Sequence, residues 1–129
     1  MARERSDLPT GSELEILKVL WKRGPSSVRE VYRELAAARG MGYSTVLKFM
    51  QIMTAKGSLV RDDGVRPQIY RAARTQRQTQ QGLLRDLVAR AFDGSPTNLV
   101  MQALASRKAS IEERRQIRAL LDEIEEKDR

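Results

Sequence analysis

The sequence GYSTVLKFMQIMTAKG, Gly42–Gly57, predicts a helix that is delimited by glycines and has two different sides. At 100° per residue, the apolar residues expected to face a core share one quarter of the helix circumference: Val46, Phe49, Met50 and Met53. The opposite side holds Ser44, Lys48, Gln51 and Ala55, flanked by Thr45 and Ile52 at one edge and by Leu47 at the other. This pattern predicts a helix that packs on one side and offers polar groups on the other.

Two further helices are predicted before this stretch. Ser12 and Glu15 fit a capping box, which predicts a first helix over residues 12–23, stopped by Gly24 and Pro25. Ser27 and Glu30 fit a second capping box, and the helix that they begin is expected to end near Gly40. Gly57 suits the left-handed position after the third helix.

A short β-hairpin is predicted after the third helix. Residues 59–61 and 68–71 favour strands, and the segment DDGVRP between them has turn chemistry. Three helices followed by a basic hairpin are typical of a winged helix-turn-helix, whose third helix enters the major groove of DNA. We therefore expect a mainly α protein, with a winged helix-turn-helix over residues 1–74.

Three amphipathic helices are predicted over residues 75–129: one over 79–92, one that begins at Ser95 and Pro96, and one capped by Ser110 and Glu113. About 50 residues in three helices are too few to enclose the apolar stripes of all three. Pairing with a second copy would bury them, and packing against the front half is the alternative. The expected dimerisation residues are Leu83, Leu84, Leu87, Val88, Leu99, Val100, Leu104, Ile117, Leu120, Leu121 and Ile124.

The composition favours a polyanionic partner and argues against catalysis. The net charge is +7, and residues 1–74 hold 14 Lys or Arg against 8 Asp or Glu, whereas residues 75–129 hold 10 against 9. The chain has no histidine and no cysteine, which excludes disulfides and thiolate metal sites and removes the commonest general base. We expect no enzymatic activity, no metal, no cofactor and no membrane span, and a cytoplasmic location.

Polar residues of the third helix and arginines around it suit DNA. Ser44, Thr45, Lys48 and Gln51 match groups that read base edges, since Gln pairs with adenine and Lys with guanine or phosphate. Arg61 and Arg66 in the hairpin and Arg29 in the second helix are candidates for phosphate contacts. A solvated helix face, or arginines paired with Asp62 and Asp63, would explain the same residues without DNA. The N-terminal RERS fits a groove-tracking arm or a disordered start equally well.

Three segments together resemble the penicillinase repressor family, the BlaI/MecI/CopY winged-helix repressors: LPTGSELEILKVLWKRGPSSVREVYREL, GYSTVLKFMQIMTAKG with the following SLVR, and RPQIYRA. The resemblance covers about residues 8–124. It implies a homodimer that represses transcription from a palindromic operator, a three-helix C-terminal dimerisation element, and antibiotic-response genes as targets. It also places Ser44, Thr45, Lys48 and Gln51 on the recognition helix and Arg66 in the wing.

The chain departs from two regulatory patterns of that family. Members controlled by a β-lactam-sensing receptor protease are typically cut at an Asn-Phe bond, but here Gln102 and Ala103 align with that bond. Copper-responsive members use C-terminal cysteine pairs, which this chain lacks. The competing hypothesis is a protein-interaction adaptor whose basic surface is incidental.

Overall fold

A computed structural model describes residues 8–129. In this range the chain forms six helices and one two-stranded sheet: α1 (Gly11–Arg23), α2 (Val28–Arg39), α3 (Tyr43–Lys56), β1 (Leu59–Asp62), β2 (Ile69–Ala72), α4 (Gln76–Ala91), α5 (Pro96–Ser106) and α6 (Ile111–Lys127). The mainly helical winged-helix fold is confirmed. The RERS segment, residues 3–6, lies outside the described residues.

The start of α1 corrects the sequence-based assignment. The capping box joins Thr10 and Glu13 rather than Ser12 and Glu15: the Glu13 amide donates to Thr10 Oγ1 at 3.3 Å, and the Thr10 amide donates to Glu13 Oε1 at 3.0 Å. Glu13 is buried, which holds its carboxylate in place for the cap. The capping boxes Ser27–Glu30 and Ser110–Glu113 are confirmed.

The hairpin is antiparallel, and its register pairs Leu59 with Ala72 and Asp62 with Ile69. Each strand therefore extends one residue beyond the predicted end, and β2 starts one residue later. Ser26, in the loop between α1 and α2, adds a bridge to the hairpin, since its amide and carbonyl exchange hydrogen bonds with those of Tyr70 at 2.9 and 2.8 Å. This bridge fixes the hairpin to the helical part of the fold.

The core is formed by α1, α2, α3 and the hairpin. Its buried apolar residues are Ile16, Leu17, Leu20, Val28, Val31, Leu35, Val46, Met50, Met53, Leu59 and Tyr70. Trp21 closes one side, and its indole Nε1 donates to the carbonyl of Arg74 at 3.0 Å. The helices of the front half therefore meet through one contiguous cluster.

The chain divides into two compact units between Asp86 and Leu87, within α4. The sequence predicts a functional boundary elsewhere, between residues 74 and 75. That boundary stays a prediction. Helix α4 begins three residues earlier than expected, because Thr75 and Gln78 exchange capping hydrogen bonds at 2.9 and 3.1 Å. None of the helices within residues 8–129 is long and apolar enough to cross a membrane.

Candidate nucleic-acid interface

Helix α3 has the two different sides that its sequence predicts. Val46, Met50 and Met53 are fully buried, and Leu47 and Phe49 are partly buried and pack against the same cluster. The prediction for Phe49 therefore holds for its contacts, although its ring is not fully enclosed. Leu47 at the edge of the helix belongs to the packed side.

The opposite side of α3 is exposed and carries no carboxylate. Ser44, Thr45, Lys48 and Gln51 are all exposed, and Ile52 beside them is 39% exposed. Within residues 8–129, the Lys48 ammonium makes no hydrogen bond or ion pair. The structure thus brings four predicted base-reading residues onto one solvent-facing surface, which we call the α3 face.

The two ends of α3 are fixed by different contacts. At its C-terminal end, Lys56 Nζ donates to both carboxylate oxygens of Glu13, at 2.9 and 3.2 Å, and so joins α3 to the start of α1. Gly57 follows with φ 86°, the left-handed conformation that ends the helix. These contacts set the direction in which the α3 face points.

At its N-terminal end, α3 is joined to α2 through aromatic side chains. The Tyr32 and Tyr43 rings meet edge to face, with centroids 5.5 Å apart at 81°. The Arg29 guanidinium lies over the Tyr43 ring at 5.4 Å from its centroid. Gly42 is the N-cap and supplies no side-chain cap, and this end of a helix favours anions. Arg29 is therefore held by Tyr43, the first residue of α3.

The wing arginines are exposed and have partners in the hairpin. Arg61 Nε pairs with Asp63 Oδ1 at 2.6 Å, so the alternative of an ion pair with these acids holds for Arg61. Side-chain hydrogen bonding to Tyr70, and then to Asp63, raises the Arg61 pKa above its ordinary value. Arg66 Nη1 donates to the carbonyls of Asp63 and Val65 at 2.8 and 3.1 Å. Both cations are thus oriented by the turn.

Sequence reasoning missed three contributors to this surface. Tyr43 positions Arg29, but the contact depends on how two helices cross, which no local pattern reveals. Lys56 and Glu13 lie 43 residues apart. The sequence does contain a signal for Glu13: it is an acidic residue three positions after a threonine, in a segment that has the apolar periodicity of α1.

In the back half, the predicted dimerisation residues and the Gln102–Ala103 bond all lie on helices. Helices α4, α5 and α6 have no buried residue, and the exposed apolar side chains include Leu84, Leu87, Val100, Leu104, Leu120, Leu121 and Ile124. Leu83, Val88, Leu99 and Ile117 are half-buried. Gln102 and Ala103 lie inside α5, where Gln102 Nε2 donates to Asn98 Oδ1 at 2.9 Å.

The part of the chain that the structure describes contains no group of three or more acidic, cysteine or histidine side chains arranged to hold a metal ion. The groups that this surface offers are hydroxyls, an amide and cations, which bind ligands through hydrogen bonds and charge. Such groups match the base edges and phosphates of DNA.

Comparisons with known proteins identify the chain at the level of a family. No curated protein sequence matches it significantly. A solved structure described as "Structure of reduced AbfR bound to DNA" is similar over 99% of this chain and 83% of that chain, with a TM-score of 0.44 and 16% sequence identity. The family model for the penicillinase repressor matches residues 9–123. The chain therefore belongs to the penicillinase repressor family and is a DNA-binding transcriptional regulator.

Proposed function

We propose that the protein represses transcription by binding a palindromic DNA operator as a homodimer, and that antibiotic-response genes are among its targets. The observation that carries this proposal is the α3 face. Ser44, Thr45, Lys48 and Gln51 are exposed on a helix whose other side is anchored in the core. Because α3 contains no acidic residue, nothing on it repels the phosphates that line the major groove.

Each residue of the α3 face has a role that its chemistry supports. Gln51 pairs with adenine through its amide, and Lys48 donates to guanine or to phosphate. The hydroxyls of Ser44 and Thr45 bind either base edges or backbone. Ile52 is exposed and suits the methyl group of thymine, whereas Leu47 is partly buried against the core and is given no role in DNA binding.

Arginines flank this face and are proposed to bind phosphate. Arg29 is held at the N-terminal end of α3 by Tyr43, where backbone amides also favour an anion. Arg66 uses only Nη1 in the turn, so its other guanidinium N–H groups are available to phosphate. The exposed pair of Arg61 with Asp63 contributes little in water, and Arg61 therefore exchanges it readily for a phosphate.

Homodimerisation is proposed through the back half. The eleven predicted dimerisation residues are exposed or half-buried in the single chain. A second copy would remove their apolar surface from water, and the two-fold symmetry of a dimer matches a palindromic operator. The helices of the back half are thus proposed to set the spacing of two α3 faces.

The experiment begins with selection of an operator from randomised duplex DNA, followed by fluorescence anisotropy with the selected duplex. Lys48→Ala and Arg66→Ala should each weaken binding about tenfold, since each removes a contact to base or phosphate. Lys22→Ala removes the same charge from an exposed position on α1 and is the matched control. Neutralising about six phosphates should give a log–log salt slope near −5.

Two outcomes would contradict the repressor. If the wild-type chain has no affinity for any duplex at low salt, or an affinity independent of salt, the adaptor hypothesis is favoured. If Lys22→Ala weakens binding as much as Lys48→Ala, the α3 face has no special role. Sedimentation at micromolar concentration tests the dimer separately.

The family resemblance aligns the bond cut by a receptor protease with Gln102–Ala103, and induction is proposed to act there although this pair departs from the usual Asn-Phe bond. A cut there would divide α5 and separate Val100 from Leu104 in the apolar stripe, which would weaken the dimer. Both residues are exposed, although the helix must unwind locally before an extended segment enters a protease. Mass spectrometry of the chain from antibiotic-treated cells should find fragments that end at Gln102, and an intact chain in derepressed cells would contradict this mechanism.

A further inference from the structure

The charges of residues 107–129, which comprise α6 and the residues that flank it, are divided between two halves. Residues 107–118 hold five cations and two acids, a net charge of +3: Arg107, Lys108, Arg114, Arg115 and Arg118 against Glu112 and Glu113. Residues 119–129 hold five acids and two cations, a net charge of −3: Asp122, Glu123, Glu125, Glu126 and Asp128 against Lys127 and Arg129. Arg107 and Lys108 precede α6, so the basic half consists of the loop before the helix together with Arg114, Arg115 and Arg118 on its first turns, and the acidic half lies at the C-terminal end of the helix.

The stability of α6 does not explain the acidic half. The two acids of the first turn have partners within the helix or its cap: Glu113 completes the cap with Ser110, and Glu112 pairs with Arg115 at 3.2 Å. The carboxylates of residues 122–128 lie at the C-terminal end, where the helix dipole disfavours negative charge. Within residues 8–129, none of these five carboxylates has an ion-pair partner. These carboxylates are therefore free to pair with cations of another molecule.

A groove of opposite charge is present on the same unit. It has a volume of about 320 Å³ and is lined by Leu104, Lys108, Ala109, Arg114, Ile117 and Arg118. Three of these residues are cations, none is an acid, and the other three are apolar. The groove therefore suits an amphipathic segment that carries several carboxylates.

We propose that α6 pairs antiparallel with α6 of a second copy, so that the acidic segment 122–128 of each chain lies in the basic groove of the other. This inference rests on the homodimer proposed above and specifies how its two chains are arranged. In an antiparallel pair, residues 107–118 of each chain, with a net charge of +3, face residues 119–129 of the other chain, with a net charge of −3. In a parallel pair, each half would face the half of the same charge, +3 against +3 and −3 against −3.

The arrangement divides two tasks between two kinds of residue. Ile117, Leu120, Leu121 and Ile124 form the apolar side of α6 and supply the affinity when a second copy covers them. The charges at the two ends select the orientation, because a parallel pair opposes like charges at both ends of the segment. This orientation fixes the symmetry of the dimer.

A distance measurement tests the orientation directly. The chain has no cysteine, so Lys127→Cys gives a single site for a spin label on the full-length protein. In an antiparallel pair, the two labels lie at opposite ends of the interface, about 25–30 Å apart from the 1.5 Å rise per residue. A parallel pair would place them about 10 Å apart, and that result would overturn the proposal. Dilution with unlabelled chain should abolish the signal, which shows that it is intermolecular.

Charge reversal provides a second test. Arg114→Glu with Arg118→Glu, or Asp122→Lys with Glu125→Lys, should each raise the dimer dissociation constant at least tenfold, because like charges then face each other. The chain that carries all four substitutions should recover to within about threefold of the wild type. Circular dichroism checks that the helices persist in each variant.

The outcomes separate this inference from the proposed function. In a parallel pair, either double reversal would reduce repulsion and tighten the dimer, which would overturn the orientation and leave the repressor proposal standing. If the quadruple variant fails to recover, the charges do not face each other and the inference is wrong. A wild-type chain that is monomeric at micromolar concentration would overturn the homodimer and this inference together.

Discussion

The unit that ends at Asp86 and the unit that begins at Leu87 are built from similar helices, but only the first encloses a core. Both begin helices with capping boxes, Ser27–Glu30 in the first unit and Ser110–Glu113 in the second. In the first unit, nine helical apolar side chains are buried together with Leu59 and Tyr70. In the second, α5 and α6 have no buried residue.

Helix formation and core formation therefore depend on different features of the chain. Capping and helix propensity act within a few residues and operate in both units. Burial requires elements that cover each other from several directions, which three crossing helices and a hairpin provide in the first unit. The second unit has amphipathic stripes without such cover, and its stability is therefore expected to depend on a partner.

The largest expected effect comes from the same substitution made in each unit. Met50→Ala leaves a cavity at a fully buried site and should lower the free energy of unfolding by about 3 kcal/mol. Met101→Ala is the matched control, because Met101 is 64% exposed and should change it by less than about 0.5 kcal/mol. Urea denaturation measures both, and equal effects would contradict the assignment of the core.

A smaller loss is expected at the ion pair that joins α1 to α3. Glu13→Ala removes a 2% exposed carboxylate that caps α1 and binds Lys56, so the free energy of unfolding should fall by about 2 kcal/mol. DNA affinity should also fall, since α3 loses a contact that orients it. Glu15→Ala is the control: its carboxylate pairs with Arg39 and Lys18, which are exposed, and its loss should cost less than about 1 kcal/mol.

These contacts show how far the sequence predicts the molecule. The periodicity of α3 predicts its buried and exposed sides, because both are properties of one helix. The cap of α1 could not be chosen from the sequence, since Thr10–Glu13 and Ser12–Glu15 both fit the motif. The ion pair between Glu13 and the distant Lys56 favours the Thr10–Glu13 cap. Likewise, Arg29 could be suspected of binding phosphate, but its position over Tyr43 follows from the packing of α2 on α3.

The exposed apolar stripe of the second unit is tested by two substitutions in α6. Leu121→Asp places a charge on the proposed dimer surface and should raise the dissociation constant of the dimer at least about tenfold, or about 1.4 kcal/mol. Ala119→Asp adds the same charge two residues away, on nearly the opposite side of α6, and should leave the dimer intact. Sedimentation distinguishes them, and loss of the dimer in both variants would show that the face has been wrongly assigned.

The smallest effect concerns the capping boxes that the two units share. The pKa values of Glu30 and Glu113 lie below the ordinary glutamate value, chiefly because each carboxylate accepts the amide hydrogen of its capping serine, Ser27 or Ser110. A lowered pKa in the folded state means that this stabilisation is present above the unfolded value, about 4.3, and is lost as the pH falls through the folded value.

Glutamine accepts the same hydrogen bonds without titrating, so Glu30→Gln should reduce the loss of stability on acidification below about pH 5. Glu30 also pairs with Arg23 at 2.9 Å, whereas no such pair is found for Glu113 within residues 8–129. Glu30→Gln should therefore lower stability at pH 7 slightly more than Glu113→Gln does. Thermal denaturation between pH 7 and pH 3 tests this, and an unchanged pH dependence in both variants would show that the caps do not contribute to acid sensitivity.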